Sequence, residues 1–374
     1  MNNFKNYDVD KNAKMRNYKI ENNKKSKEDY SVEIDCLLKD QKIEYQLIEK
    51  KFVEKYSQYT IVCDKKFYKC VIGLANDFAM ATQSNHCVRA YIQNGNVIVE
   101  VPNKIQADIS LFDATKKYRV PNKQSIEWFL GEDINGNKVV TNFEKTPHLL
   151  IGGSTGSGKS NFIKSIISQI ILNNKSNEVK FLLIDPKNIE YKQFKNLPYV
   201  LYNEVFSTNL DVQFALQKMK EEIEKRYTLF CDKRVLNIEK YNKKSKIQKL
   251  PKIVIVVDEF ADYMFDIKQQ FEDYVEYITK KGRACGIYLI LATQRITDST
   301  ISNKIKRCFY NILTFNLCAE EDSLLLIDSP DAKCLSDNGD ALFKDEQKNL
   351  NRLTTYYVTD EEIQNVINSI KKTN

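Results

Sequence analysis

Histidine is almost missing from these 374 residues: His86 and His148 are the two. The nine cysteines are odd in number, scattered, and nowhere spaced as CxxC. A structural zinc site needs clustered soft ligands, so that class is excluded. The thiols are expected to be free and buried, as in a reducing cell. Also lacking is any run near the ~20 apolar residues that cross a bilayer. Met1-Asn2-Asn3-Phe4-Lys5 opens without the apolar core of a secretory signal. A cytoplasmic protein is the expectation, and no internal repeat is visible.

What is present is a basic balance, +7 with a pI near 8.7, which favours polyanion partners such as nucleic acid. Three regions differ in texture. Residues 1–33, with "IENNKKSKEDY", hold too little apolar area to offset ordering entropy and read as a disordered basic and polar tail. Residues 34–125 read as a small α+β domain. "LANDFAMAT" has helical apolar spacing, and "VRAYIQNGNVIVEVPN" alternates around Asn94-Gly95, the pair suited to a type I′ hairpin turn. Residues 126–374 repeat strand, loop and helix. "HLLIG", "VKFLLID", "KIVIVVDEF" and "GIYLILATQ" are continuous apolar runs, as in central parallel strands covered on both faces. Amphipathic helices are expected after Ser160 and over Val212–Phe230, and a lysine-rich looped insertion over "IEKYNKKSKIQKLPK".

The chemistry concentrates in "GGSTGSGKS". Gly153, Ser154, Thr155, Gly156, Ser157, Gly158, Lys159 and Ser160 match G-x-x-x-x-G-K-[ST] between an apolar strand and an amphipathic helix. Glycines let backbone N–H groups converge on phosphates, and the helix start adds its positive end. Lys159 is expected on the β- and γ-phosphates of ATP and the Ser160 hydroxyl on Mg²⁺. Asp258 ends an apolar strand, where it can hold Mg²⁺ through water. Glu259 beside it can act as general base for water. Gln294 ends the next strand and can sense the γ-phosphate. Arg283 is a candidate arginine finger, with Arg295 and Arg307 as rivals.

In order along the chain, these segments resemble the FtsK/SpoIIIE family of DNA translocases. "FLGEDINGNKVVTNFEKTPHLLIGGSTGSGKSNFIKSII", "EVKFLLIDPKNIEY", "EKRYTLF" with "LNIEKYNKK", "VVDEFADYM", "GRACGIYLILATQR" and "NGDALF" carry the resemblance, and "LANDFAMAT" with the following hairpin extends it into the small domain. It implies an α/β fold: a RecA-like P-loop ATPase of the ASCE type with a mostly parallel central sheet. It further implies a homo-oligomeric ring, commonly a hexamer, around double-stranded DNA. ATP would lie between subunits, Arg283 acting in trans, and the loop after Gln294, "RITDSTISNKIKR", would face the pore. There Arg295, Lys304, Lys306 and Arg307 would follow phosphates without reading bases.

Two positions depart from the family pattern: Ile296 stands for its usual proline, and Asp322-Ser323-Leu324 lacks an arginine. A winged-helix reader and a membrane-spanning front are not seen, so transfer of plasmid, phage or conjugative-element DNA is expected over septal chromosome pumping. The competing expectation is a nucleotide-dependent adaptor that brings DNA or a relaxase to a secretion channel, with a membrane-anchored or relaxase partner. A small-molecule kinase would need an acceptor lid, and none is visible.

Overall fold

A computed structural model of the chain describes residues 28–84, 86–104, 106, 108–115, 126–245 and 249–371. Most of the expected tail, residues 1–27, lies outside them. Its last residues are ordered structure. The Tyr30 backbone N–H donates to the Tyr59 hydroxyl (2.6 Å), and helix α1 begins at Ser31. Tyr30 carries enough apolar area to be buried, which the charged residues before it do not.

The small domain packs α1 (Ser31–Asp40), α2 (Tyr68–Gly73) and α3 (Ala75–Ala81) against an antiparallel sheet ordered β1 (Tyr45–Phe52), β2 (Tyr56–Cys63), β4 (Asn96–Pro102), β3 (Arg89–Gln93). Asn94 and Gly95 both adopt positive φ between β3 and β4, the geometry of a type I′ turn. Ile34, Leu38, Phe78, Val97 and Val99 form the core. The sequence-based boundary at 125 falls too late. Strand β5 (Ile109–Ser110) and helix α4 (Leu111–Thr115) belong to the larger unit, because Leu111 is buried in its core.

The larger unit is built on a sheet of ten strands among the described residues. From one edge come β10 (Val200–Phe206), β9 (Val179–Ile184), β11 (Lys252–Val257), β12 (Ile287–Thr293), β8 (His148–Gly152) and β13 (Asn311–Thr314), all parallel. The order continues antiparallel through β14 (Asp340–Lys344), β15 (Leu350–Thr354), β6 (Glu127–Glu132) and β7 (Lys138–Asn142). Alternate side chains of β11 serve two cores. Val254 and Val256 meet Phe162, Ile163 and Ile166 of α5 (Lys159–Asn173), whereas Ile253, Ile255 and Val257 meet α6 (Asn209–Lys233) and α9 (Lys268–Cys285). Burial on both faces is why these strands are unbroken apolar runs.

Between α6 and β11 the supposed lysine-rich loop contains α7 (Ile238–Lys244). Asn237 caps it, and buried Ile238 and Tyr241 anchor it. The remaining helices are α8 (Tyr263–Asp266), α10 (Asn303–Cys308), α11 (Glu320–Ile327) and α12 (Asp360–Lys371), and β16 (Tyr356–Tyr357) pairs in parallel with β5. No described helix is long and apolar enough to cross a membrane. The thiols are free, but only Cys285 is buried, against the expectation for the set. His148 is structural: Nδ1 accepts the Leu289 N–H (3.2 Å), and burial pushes its imidazole down to about 4.

Candidate functional site

The phosphate-type loop leaves the C-terminal end of β8 and enters α5. Gly158 immediately precedes α5 at φ 115°, and a Cβ there would stand 3.0 Å from the Gly339 nitrogen. Only glycine meets both demands without strain. Lys159 is buried, and its Nζ donates to the carbonyls of Gly153 (2.7 Å) and Ser154 (3.0 Å). Burial lowers its ammonium to about 8, with Asp258 and Glu259 pulling the other way. A cation so placed, with only neutral carbonyls to hold it, is poised for phosphate oxygens.

β9, β11 and β12 end beside this loop, because they lie in register next to β8. Ile184 opposes Val257, and Thr293 opposes Gly152. Asp258 therefore emerges next to Asp185. Burial and then the Asp185 charge push the Asp258 carboxyl up to about 6, the Glu259 N–H opposing and Glu190 adding to the rise. Glu259 sits in the left-handed region at φ 41°, a costly conformation for a non-glycine residue. Its carboxylate accepts from the Thr293 hydroxyl (2.7 Å) and the Gln294 N–H (3.1 Å). The Gln294 side-chain oxygen accepts from the Thr155 hydroxyl (2.7 Å). Lys159, Asp258, Glu259 and Gln294 thus converge at one end of the sheet.

The donor set fits magnesium shared with a nucleotide. Ser160 follows Lys159 in the first turn of α5, and the carboxyl of Asp258 is crowded by acids that a divalent cation would relieve. Among the described residues no group of three or more His, Cys, Asp or Glu is arranged to hold a metal alone. Phosphate oxygens would have to complete the shell, as is usual for Mg²⁺.

The other expected residues are not brought to this point. Arg283 lies in the last turn of α9, exposed, with Nη2 on the Glu144 carbonyl (2.6 Å). That turn feeds the N-terminal end of β12, opposite the phosphate-type loop, so Arg283 faces away from its own chain's Lys159. Arg295 stays at the loop's end of the sheet, 64% exposed and 3.6 Å from Asp262. The segment after it is no free loop. Ile296, Ile301 and Ile305 are buried, and Ser302 caps α10. Because α10 leads into the N-terminal end of β13, Lys304, Lys306 and Arg307 are separated from Arg295. Lys304 is bound to Asp273 and Glu276, and Lys306 to Asp328 (2.7 Å) and the Leu325 carbonyl (2.9 Å). Arg307 is exposed.

Three contributors had no role in the sequence reading. Asp185 is buried and holds the following turn by accepting the N–H groups of Lys187, Ile189 and Glu190. Thr293 grips Glu259. The turn 335–339 closes on the phosphate-type loop, where the Gly339 N–H donates to the Ser157 carbonyl (3.1 Å). Polar residues ending the neighbouring strands were the available signal for the first two; the last depends on tertiary contacts alone.

The FtsK/SpoIIIE family model matches residues 113–298. The chain is 36% identical over 313 residues to the DNA translocase FtsK of Lactiplantibacillus plantarum and 34% identical over 312 residues to that of Staphylococcus aureus. Each alignment covers 80% of this chain and 39% of the relative, so the chain spans about two fifths of the curated relatives it matches. Among solved structures, the pCW3 conjugation coupling protein TcpA, in a monomer form with ATPγS, superposes with a TM-score of 0.64 at 18% identity, over 91% of this chain and 98% of that one. The cytoplasmic domain of the type VII secretion ATPase EccC of Thermomonospora curvata gives 0.61 at 19% identity, over 71% and 34%. Those two likenesses concern the fold, that of a RecA-like P-loop ATPase.

Proposed function

This chain belongs to the FtsK/SpoIIIE family, and from that premise we propose that it is an ATP-driven motor that moves double-stranded DNA. The observation that carries the reading is the convergence of Lys159, Asp258, Glu259 and Gln294 on the ends of adjacent parallel strands. Binding alone needs the loop and Lys159; a buried glutamate tied to a neighbouring strand end is what hydrolysis adds.

Lys159 exchanges its two carbonyl partners for phosphate oxygens. Ser160 and Asp258 would hold a magnesium ion, which would supply charge neutralisation on the phosphates. Glu259 takes the proton of the attacking water. Gln294 lies between Glu259 and Thr155, so it senses whether the loop is filled. Arg283 faces away from its own phosphate-type loop, which supports a ring in which a second copy contributes it; a hexamer is the form we favour.

The test is triplex displacement from duplex DNA. ATP should drive it, and Lys159→Ala should abolish both displacement and ATP turnover. Failure to split ATP with duplex supplied, under conditions where rings form, overturns the proposal. A second reading, an adaptor with little translocation of its own, is favoured by one observation. Lys304 and Lys306 are engaged within the chain rather than free for phosphates. ATP turnover indifferent to duplex DNA would select it.

A further inference from the structure

A buried ionic cluster lies between the small domain and the motor. Glu100 of β4 is 1% exposed, and its carboxylate accepts from Arg352 (2.7 Å), Arg89 (3.3 Å), Gln58 (3.0 Å) and the Tyr91 hydroxyl (2.9 Å). Arg352, on β15 of the motor, turns its other two nitrogens onto Asp340 as a fork, Nε at 3.0 Å and Nη2 at 2.6 Å, and stacks its guanidinium 3.8 Å over the Tyr56 ring. Asp340 in turn accepts the Ser336 N–H (2.8 Å). Every donor on Arg352 that reaches a carboxylate is thereby fixed in direction, as a planar guanidinium allows and an ammonium does not.

The turn that Asp340 holds is the one that closes on the phosphate-type loop. Gly339 donates to the Ser157 carbonyl (3.1 Å), and the Asn316 side chain donates to the Leu335 carbonyl (2.7 Å). The Asn316 carbonyl, in turn, accepts the Ser154 N–H (2.8 Å) and hydroxyl (3.0 Å). A path of polar contacts therefore runs from the small-domain sheet to Ser154 and Ser157 of the loop that would hold phosphate. Buried ion pairs of this kind are a poor source of stability, since apolar replacements often do as well. What they provide is a single geometry.

We propose that Glu100 is a positioning residue for the nucleotide. Through Arg352, Asp340 and the 335–339 turn, the small domain sets the shape of the phosphate-binding loop. This rests on the nucleotide reading of the loop.

The probe is ATPγS, with affinity measured on the full chain. Glu100→Gln and Asn316→Ala should each weaken binding about tenfold, and the double variant no further than the poorer single one, because serial links do not add. Asp108→Asn serves as the control. It strips the partner from buried Lys55 (2.9 Å) elsewhere on the small domain, so it should lower the melting temperature and leave ATPγS affinity alone. Additive losses, or equal weakening by Asp108→Asn, overturn the inference. Should Glu100→Gln not fold, amide exchange on the unaltered chain decides: ATPγS should slow exchange in residues 335–340 and in β4. Protection confined to residues 153–160 refutes the path. An unaltered chain that does not bind ATPγS overturns the nucleotide reading itself; binding that ignores Glu100→Gln overturns only this inference.

Discussion

Glu259 combines a strained backbone with a carboxylate tethered to the end of the neighbouring strand, so its position is set by its neighbours rather than by local preference. Glu259→Gln keeps the shape and removes the proposed base. ATP turnover should fall by at least about 100-fold while ATPγS affinity holds; normal turnover would remove Glu259 from the role of base. Thr293→Val takes away one of the hydrogen bonds that hold the carboxylate. Such a bond to a charged group is worth about 1.5–3 kcal/mol, so turnover should drop roughly tenfold or more, again with binding intact. Glu100 supplies a pH dependence. Burial alone would raise its carboxyl, but Arg352 and Arg89 outweigh that and lower it from 4.5 to about 2. A carboxylate lowered on folding contributes stability that is complete above pH ~4.5 and is lost as the pH falls toward ~2. In acid melts across that window the unaltered chain should lose stability more steeply than Glu100→Gln, and parallel curves would contradict the shift.

At the scale of elements, α9 is pressed onto the start of β12 at Gly282, where a Cβ would stand 2.5 Å from the Ile287 carbonyl oxygen. That oxygen belongs to backbone locked in the parallel sheet, so the helix must give way instead. α9 also carries Glu272, which accepts from Ser302 (2.6 Å) at the start of α10, and a displaced α9 takes α10 with it. Gly282→Ala should cost about 1–3 kcal/mol and lower the melting temperature by several degrees; an unchanged melt would mean that the contact is slack. The central strands were legible in the sequence because burial on both faces leaves continuous β-branched runs, and the loop at Gly153–Ser160 because phosphate binding needs that spacing. Strand order was not legible. Nothing in "FLLIDP" says that Asp185 will stand beside Asp258, since β9 and β11 are separated by more than sixty residues and become neighbours only in the sheet. The path from Glu100 to Arg352 is hidden for the same reason. α10 was missed because a helix of six residues with Ile305 as its buried residue is too short to show a period among lysines.

For the molecule as a whole, the excess of +7 decides how it meets a polyanion, but location decides which cations count. A lysine already paired must give up a carboxylate to gain a phosphate, so Lys304 and Lys306 release less free energy on contact than their charge suggests. Arg307, exposed on α10, has no such carboxylate partner among the described residues. Phosphate contacts release condensed counterions, and each contributes about 0.9 to the slope of log affinity against log salt. Arg307→Ala should therefore weaken binding to duplexes of any sequence alike and reduce that slope by about one. Lys304→Ala should change it less, because a lysine already held by Asp273 and Glu276 contributes less to phosphate contact from the start. The duplex-stimulated part of ATP turnover should shrink as salt rises from ~50 to ~200 mM. Stimulation that ignores salt would mean that the helix carrying these residues does not contact the phosphates.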